Sequence, residues 1–152
     1  MLYDRNFPPS FKAYKPPTHY VYGIICITPD KKYLLVKGRT SNKWSFPKGH
    51  RKRGELAIDC ALRELYEETG ISLESPLCYP KSFIFSRNKE GSGPEYFVIE
   101  VENEMNTTIN DTNEISEVGW FSFEEIVRLN GNVDITRFVK QFNAQHTSQC
   151  CE

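Results

Sequence analysis

"GHRKRGELAIDCALRELYEETGI", residues 49–71, sets five carboxylates (Glu55, Asp59, Glu64, Glu67, Glu68) behind a basic run, with Glu74 just beyond. The apolar spacing predicts a helix over 55–69, which Gly70 stops. Ile58, Ala61, Leu62 and Leu65 share one face of that helix and form its core side. Glu64, Glu67 and Glu68, at i, i+3 and i+4, share an adjacent face, while Glu55 and Asp59 fall together on the opposite side as braces or solvated charges. Like charges at this spacing repel by a few tenths of a kcal/mol per pair even in water. A solvated acidic face is the common meaning of such a pattern. The sharper one is a set of oxygen ligands for a hard divalent cation, Mg²⁺ or Mn²⁺.

Outward from this helix, "HYVYGIICIT" (19–28) and "KKYLLVKGR" (31–39) read as a hairpin joined by "PDKK", followed by a loop containing Gly49 and Gly54. Strands are expected at 79–87, 95–102 and 117–123. Ser122 and Glu125 form a capping box for a short helix ending near Leu129. Ile135, Phe138, Val139 and Phe142 make the core stripe of a terminal helix. The order strand, strand, helix, strands, helix, helix predicts an α/β fold, a mixed β-sheet sandwiched between α-helices. The 152 residues suit a single domain, with a Pro-rich extended arm over 1–18 and a flexible tail over 146–152.

Charge is unevenly spread. Lys12–Arg53 holds eleven of the 19 basic residues but only one of the 20 acids, Asp30, so the first third is basic and the rest acidic, a polarity that could guide an anionic substrate onto the fold. The five Cys form no CxxC pair and no zinc spacing, and an odd count without a signal peptide suggests a reducing setting, cytoplasmic or nuclear. No apolar run approaches membrane-spanning length, and no membrane or protein partner is implied.

Gly49, five residues, Glu55, seven residues, then Arg63-Glu64-Leu65-Tyr66-Glu67-Glu68-Thr69-Gly70-Ile71 match the Nudix box at every specified position. A chance match at a given start is on the order of one in 10⁸. The element order resembles the Nudix fold along the whole chain. This resemblance implies a pyrophosphohydrolase in which Gly49 (through its carbonyl), Glu64, Glu67 and Glu68 hold Mg²⁺ or Mn²⁺. Arg63 would orient the carboxylates and Glu55 would brace the loop.

Within the family, "WSFPKG" (44–49), "DCALRELYEETG" (59–70) and "NEISEVGWFSFEEI" (113–126) resemble the catalytic domain of mRNA-decapping enzymes. "FPKGH" and "RGE" are similar to diadenosine tetraphosphate hydrolases. The decapping likeness implies capped RNA as substrate, 7-methylguanosine diphosphate as product, and Glu114 as a metal ligand or proton acceptor alongside Glu68. Lys48, Arg51, Lys52 and Arg53 are the expected contacts to substrate phosphates. Trp44, Phe46, Tyr22, Phe85 and Tyr96 are the aromatics near enough in sequence to offer a base platform. The alternatives are a small-molecule pyrophosphatase, acting on diadenosine polyphosphates, nucleoside diphosphate derivatives or inositol pyrophosphates, and a nucleotide-sensing module without chemistry.

Overall fold

The computed structural model describes residues 20–74, 82–84 and 93–150. Seven strands and three helices follow in the order β1 Val21–Ile27, β2 Tyr33–Gly38, β3 Trp44–Ser45, β4 Lys48–His50, α1 Ala57–Thr69, β5 Ser82–Ile84, β6 Glu95–Glu100, β7 Ile115–Phe121, α2 Phe123–Arg128 and α3 Val133–Cys150. The sheet is mixed: β1 runs parallel to β6, and every other pairing is antiparallel. β1 and β2 are in register only where Ile27 faces Tyr33. Beyond that point β4 pairs with the start of β1 and β3 with the end of β2.

The interiors of β1 and β2 are almost wholly buried because the sheet is covered on both faces. Side chains alternate between two cores. Tyr22, Ile24, Cys26 and Leu34 pack against Ile58, Ala61 and Leu65 of α1. Ile25, Tyr33 and Leu35 meet Phe46, Tyr96, Ile126 of α2 and Ile135 of α3. The sandwich expected from element order is therefore present.

Local chemistry explains the helix ends. Ser122 Oγ accepts from the Glu125 amide at 3.2 Å, and Glu125 Oε1 accepts from the Ser122 amide at 3.0 Å, closing the capping box. Asn132 Oδ1 accepts from the Ile135 amide at 3.0 Å and starts α3. Tyr96 then donates to the fully buried Asp134 at 2.6 Å, tying β6 to that helix. Gly70 ends α1 with φ 77°, where a Cβ would meet the Thr108 backbone oxygen at 2.5 Å. Gly70→Ala combines left-handed strain of about 1–2 kcal/mol with this overlap, and a melting temperature several degrees lower is the expected result.

Two expectations change. The stretch read as a loop after β2 carries β3 and β4, each too short to display alternation. The first helix begins at Ala57 rather than 55, because the Glu55 carboxylate is drawn into the preceding turn by the Lys52 amide at 3.0 Å. The backbone over 146–150 is helical, as the end of α3. The extended arm over 1–18, and the strand expected at 79–87 apart from 82–84, lie outside the described residues. Among the described residues no helix is long and apolar enough to cross a membrane.

Candidate active site

β4 lies on β1 at one end of the sheet, and α1 crosses close above it. The approach is set by Gly49: a Cβ there would fall inside the Glu64 carboxyl group, so only glycine permits it. The preceding amide, of Lys48, donates to Glu68 Oε1 at 2.9 Å, and the Cys60 thiol reaches the Gly49 carbonyl at 3.5 Å.

Arg63 organises the acids. Its Nε donates to Glu55 Oε2 at 2.8 Å and Nη2 to Glu55 Oε1 at 3.0 Å. Nη1 donates to Glu64 Oε1 at 3.0 Å and to both Glu67 oxygens at 3.2 Å, and Nη2 also reaches the His50 carbonyl at 3.0 Å. One guanidinium thus joins the turn before the helix, β4 and two helix carboxylates. The same bonds hold the Glu55 carboxyl below the usual range and raise the Arg63 pKa further. Glu55 is consequently on the site side of α1 and not, as the helical wheel placed it, opposite; Asp59 is exposed.

Glu64 and Glu68 are buried, at 8% and 4% exposure, whereas the Glu67 side chain at 37% sits on the rim. Burial pushes Glu68 up to about 8; the Lys48 amide opposes the rise, and the charges of Glu64 and Glu114 add to it. Glu64 is also raised, mainly by burial, with Arg63 opposing and Glu67 and Glu114 contributing. Burial likewise pushes the Cys60 thiol up to about 12, which makes it a packing group rather than a nucleophile.

Glu114 arrives from the loop before β7. That loop satisfies the open carbonyl end of α1: Thr108 donates to the Thr69 carbonyl at 2.9 Å, and Asn110 and Asp111 donate to the Glu67 carbonyl at 3.1 and 2.8 Å. Glu114 and Glu68 line one cleft of about 290 Å³ with Lys43, Lys48, Ser41, Ser45 and Asn132.

The remaining candidate residues are dispersed. Arg51 stacks on the Tyr20 ring at 4.6 Å, while Lys52 and Arg53 are exposed; none of the three lines the cleft. Lys43, which does, was not singled out in the sequence, since nothing in its neighbourhood distinguishes it from the surrounding lysines. Of the aromatic platforms, Phe46, Tyr96 and Tyr22 are core, and Trp44 packs edge-on against Phe121 at 4.9 Å. Phe85 lies outside the described residues.

Among the described residues, no three acidic, His or Cys side chains converge as a ready-made ion cage. The donor set nevertheless suits a hard divalent ion. It consists of oxygens alone, and the acids Glu55, Glu64, Glu67, Glu68 and Glu114 outnumber the nearby cations Arg63, Lys48 and Lys43.

Comparison with known proteins accords with this geometry. Residues 17–142 match the NUDIX domain family. The mRNA-decapping enzyme subunit 2 of Saccharomyces cerevisiae (strain YJM789) is 36% identical over 96 residues, 62% of this chain but only 10% of that protein. Phosphatase NudJ of Shigella boydii is 32% identical over 115 residues, 69% of this chain and 70% of NudJ. An Ap4A hydrolase from C. elegans superposes with a TM-score of 0.61 at 18% identity, covering 84% of this chain and 98% of that one. By the extent of the domain match and the likeness to NudJ, the chain belongs to the NUDIX family.

Proposed function

We propose that the chain is a divalent-metal-dependent pyrophosphohydrolase and that its substrate is capped RNA, cleaved to release 7-methylguanosine diphosphate. The observation that carries the hydrolase reading is the cleft lined together by buried Glu68, exposed Glu114, Lys43 and Lys48. The lysines bind the phosphate chain as point charges. Glu68 or Glu114 accepts the proton of the attacking water. Arg63 fixes the carboxylates without touching substrate, every direction of its guanidinium being engaged. The Gly49 carbonyl, Glu64, Glu67, Glu68 and Glu114 would hold Mg²⁺ or Mn²⁺. When bound, the ion would neutralise phosphate charge, polarise phosphorus and acidify water.

Capped RNA is favoured over other substrates by the likeness to the yeast decapping subunit over 96 residues, more than the box spans, and by the resemblance of residues 113–126 to decapping catalytic domains. A small-molecule pyrophosphatase is the second reading, favoured by the likeness to NudJ over most of that protein's length.

The test is product identification with Mn²⁺ and, separately, Mg²⁺. Long capped RNA, free cap dinucleotide, diadenosine tetraphosphate, ADP-ribose and an inositol pyrophosphate form the panel. Turnover of capped RNA to 7-methylguanosine diphosphate, well above the free dinucleotide, is expected. Equal or faster cleavage of the dinucleotide would sink decapping, and no product from any compound would leave only a binding module.

A further inference from the structure

We infer that Arg39, outside the box and outside the cleft lining, is the positioning residue that holds Glu114 across from Glu68; the inference rests on the hydrolase reading above.

Glu114 has to leave the sheet and enter the cleft within a few residues of β7. The β2–β7 ladder shows how this is done. Lys37 pairs with Glu117 but Gly38 pairs with Ile115, so Ser116 is an extra residue on β7. Such a bulge redirects the chain at the cost of the regular ladder bonds. Arg39, the first residue past β2, supplies substitutes. Its amide donates to the Glu114 carbonyl at 2.7 Å. Its Nε donates to the Thr112 carbonyl at 2.7 Å, and Nη2 reaches the Ile115 carbonyl at 3.5 Å. One residue thus grips carbonyls on both sides of Glu114 and that of Glu114 itself.

The opposite side of the loop is held by α1. The Glu67 carbonyl accepts the amides of Asn110 and Asp111, and Asp111 Oδ1 accepts the Glu114 amide at 3.3 Å. The loop is therefore stretched between the helix turn that bears Glu68 and the strand end that bears Arg39. Removing the Arg39 side chain would leave the Glu67 anchor, the Arg39 amide bond and the fold intact while loosening the Thr112 and Ile115 carbonyls that flank Glu114, so that the Glu114 side chain is less firmly held in the cleft. An exposed arginine whose task was solubility would not direct its Nε at a carbonyl at charge-assisted distance.

Arg39→Ala and Arg39→Lys, each in the parent and in a Glu114→Gln background, test this with two readouts. Hydrogen exchange, which needs no substrate, should quicken at residues 112–116 in Arg39→Ala and stay unchanged over 57–69. Steady-state kinetics should show kcat lower by about 10- to 100-fold, as for other residues that orient ligating groups, with KM within about twofold. Arg39→Lys, which keeps one cationic donor, should recover part of the loss. In the Glu114→Gln background Arg39→Ala should cost little more, because both changes disable the same group.

Unaltered exchange at 112–116 would overturn the inference, as would a full multiplicative loss in the double variant or full activity of Glu114→Gln alone. A rise in KM at constant kcat would also overturn it, by making Arg39 a substrate contact. A parent that cleaves nothing while exchange quickens as described would refute the hydrolase reading and leave the clasp standing.

Discussion

Glu68→Gln is expected to reduce kcat by about two to four orders of magnitude at saturating metal while leaving the fold intact. The amide keeps the shape of the carboxyl and can still accept from the Lys48 amide through its carbonyl oxygen. It cannot take a proton from water, and it is a poorer oxygen donor to a hard cation. Kinetics with and without excess Mn²⁺ would check the prediction; parental activity would show that Glu68 has neither role.

The same substitution has a second, opposite consequence. The Glu68 carboxyl titrates near 8 in the metal-free fold, against an ordinary value of about 4.3 in the unfolded chain. Between those values the folded state holds a proton that the unfolded state has lost, so metal-free stability falls as pH rises through the interval and levels off above about 8. Glutamine carries no such burden. Glu68→Gln should therefore melt higher than the parent at pH 8 to 9 without metal, and the advantage should vanish near pH 4. A catalytically dead variant that is more stable than its parent is the signature of a group buried for chemistry rather than for packing.

The legible part of the fold is the part whose pattern repeats. Glu64 and Glu68 one turn apart, Ile58, Ala61 and Leu65 beside them, and Gly70 at the end suffice to orient α1, and the structure buries those residues. The capping box at Ser122 was equally plain, since both of its partners are three residues apart. What escaped notice depends on contacts between distant segments. β3 and β4 exist because β1 and β2 diverge, leaving ladder positions that two- and three-residue strands fill. A helical wheel misplaces Glu55 because it assumes helix, whereas the Lys52 amide and Arg63 pull that carboxylate back across the turn. Lys43 lies in the cleft through the Asn42 turn, whose φ of 59° suits an asparagine but does not tell where the next side chain goes. Arg39 reads as an ordinary basic residue until the loop 75 positions later closes over it.

Arg63→Lys is the other large effect expected, although it conserves charge. Six acceptor oxygens surround the guanidinium: two of Glu55, one of Glu64, two of Glu67 and the His50 carbonyl. A lysine ammonium has three donors at one point and cannot reach the turn, β4 and two helix carboxylates together. The acceptor most easily lost is Glu67, already on the rim, and the most costly is Glu64, which would keep its burial without its cation. Glu64 and Glu67 would then be held less closely by the remaining charge, and their repulsion would loosen the helix turn that faces Gly49. Activity should fall by about 10- to 100-fold with a weaker apparent affinity for Mn²⁺, both partly restored by high metal concentration. Arg63→Ala should lose more than Arg63→Lys and should also melt lower, by several degrees, because it removes the one cation that bonds Glu55, Glu64 and Glu67 together. If Arg63→Lys matched the parent in metal affinity and turnover, the fork geometry would be irrelevant, and positive charge alone would be holding these carboxylates in place.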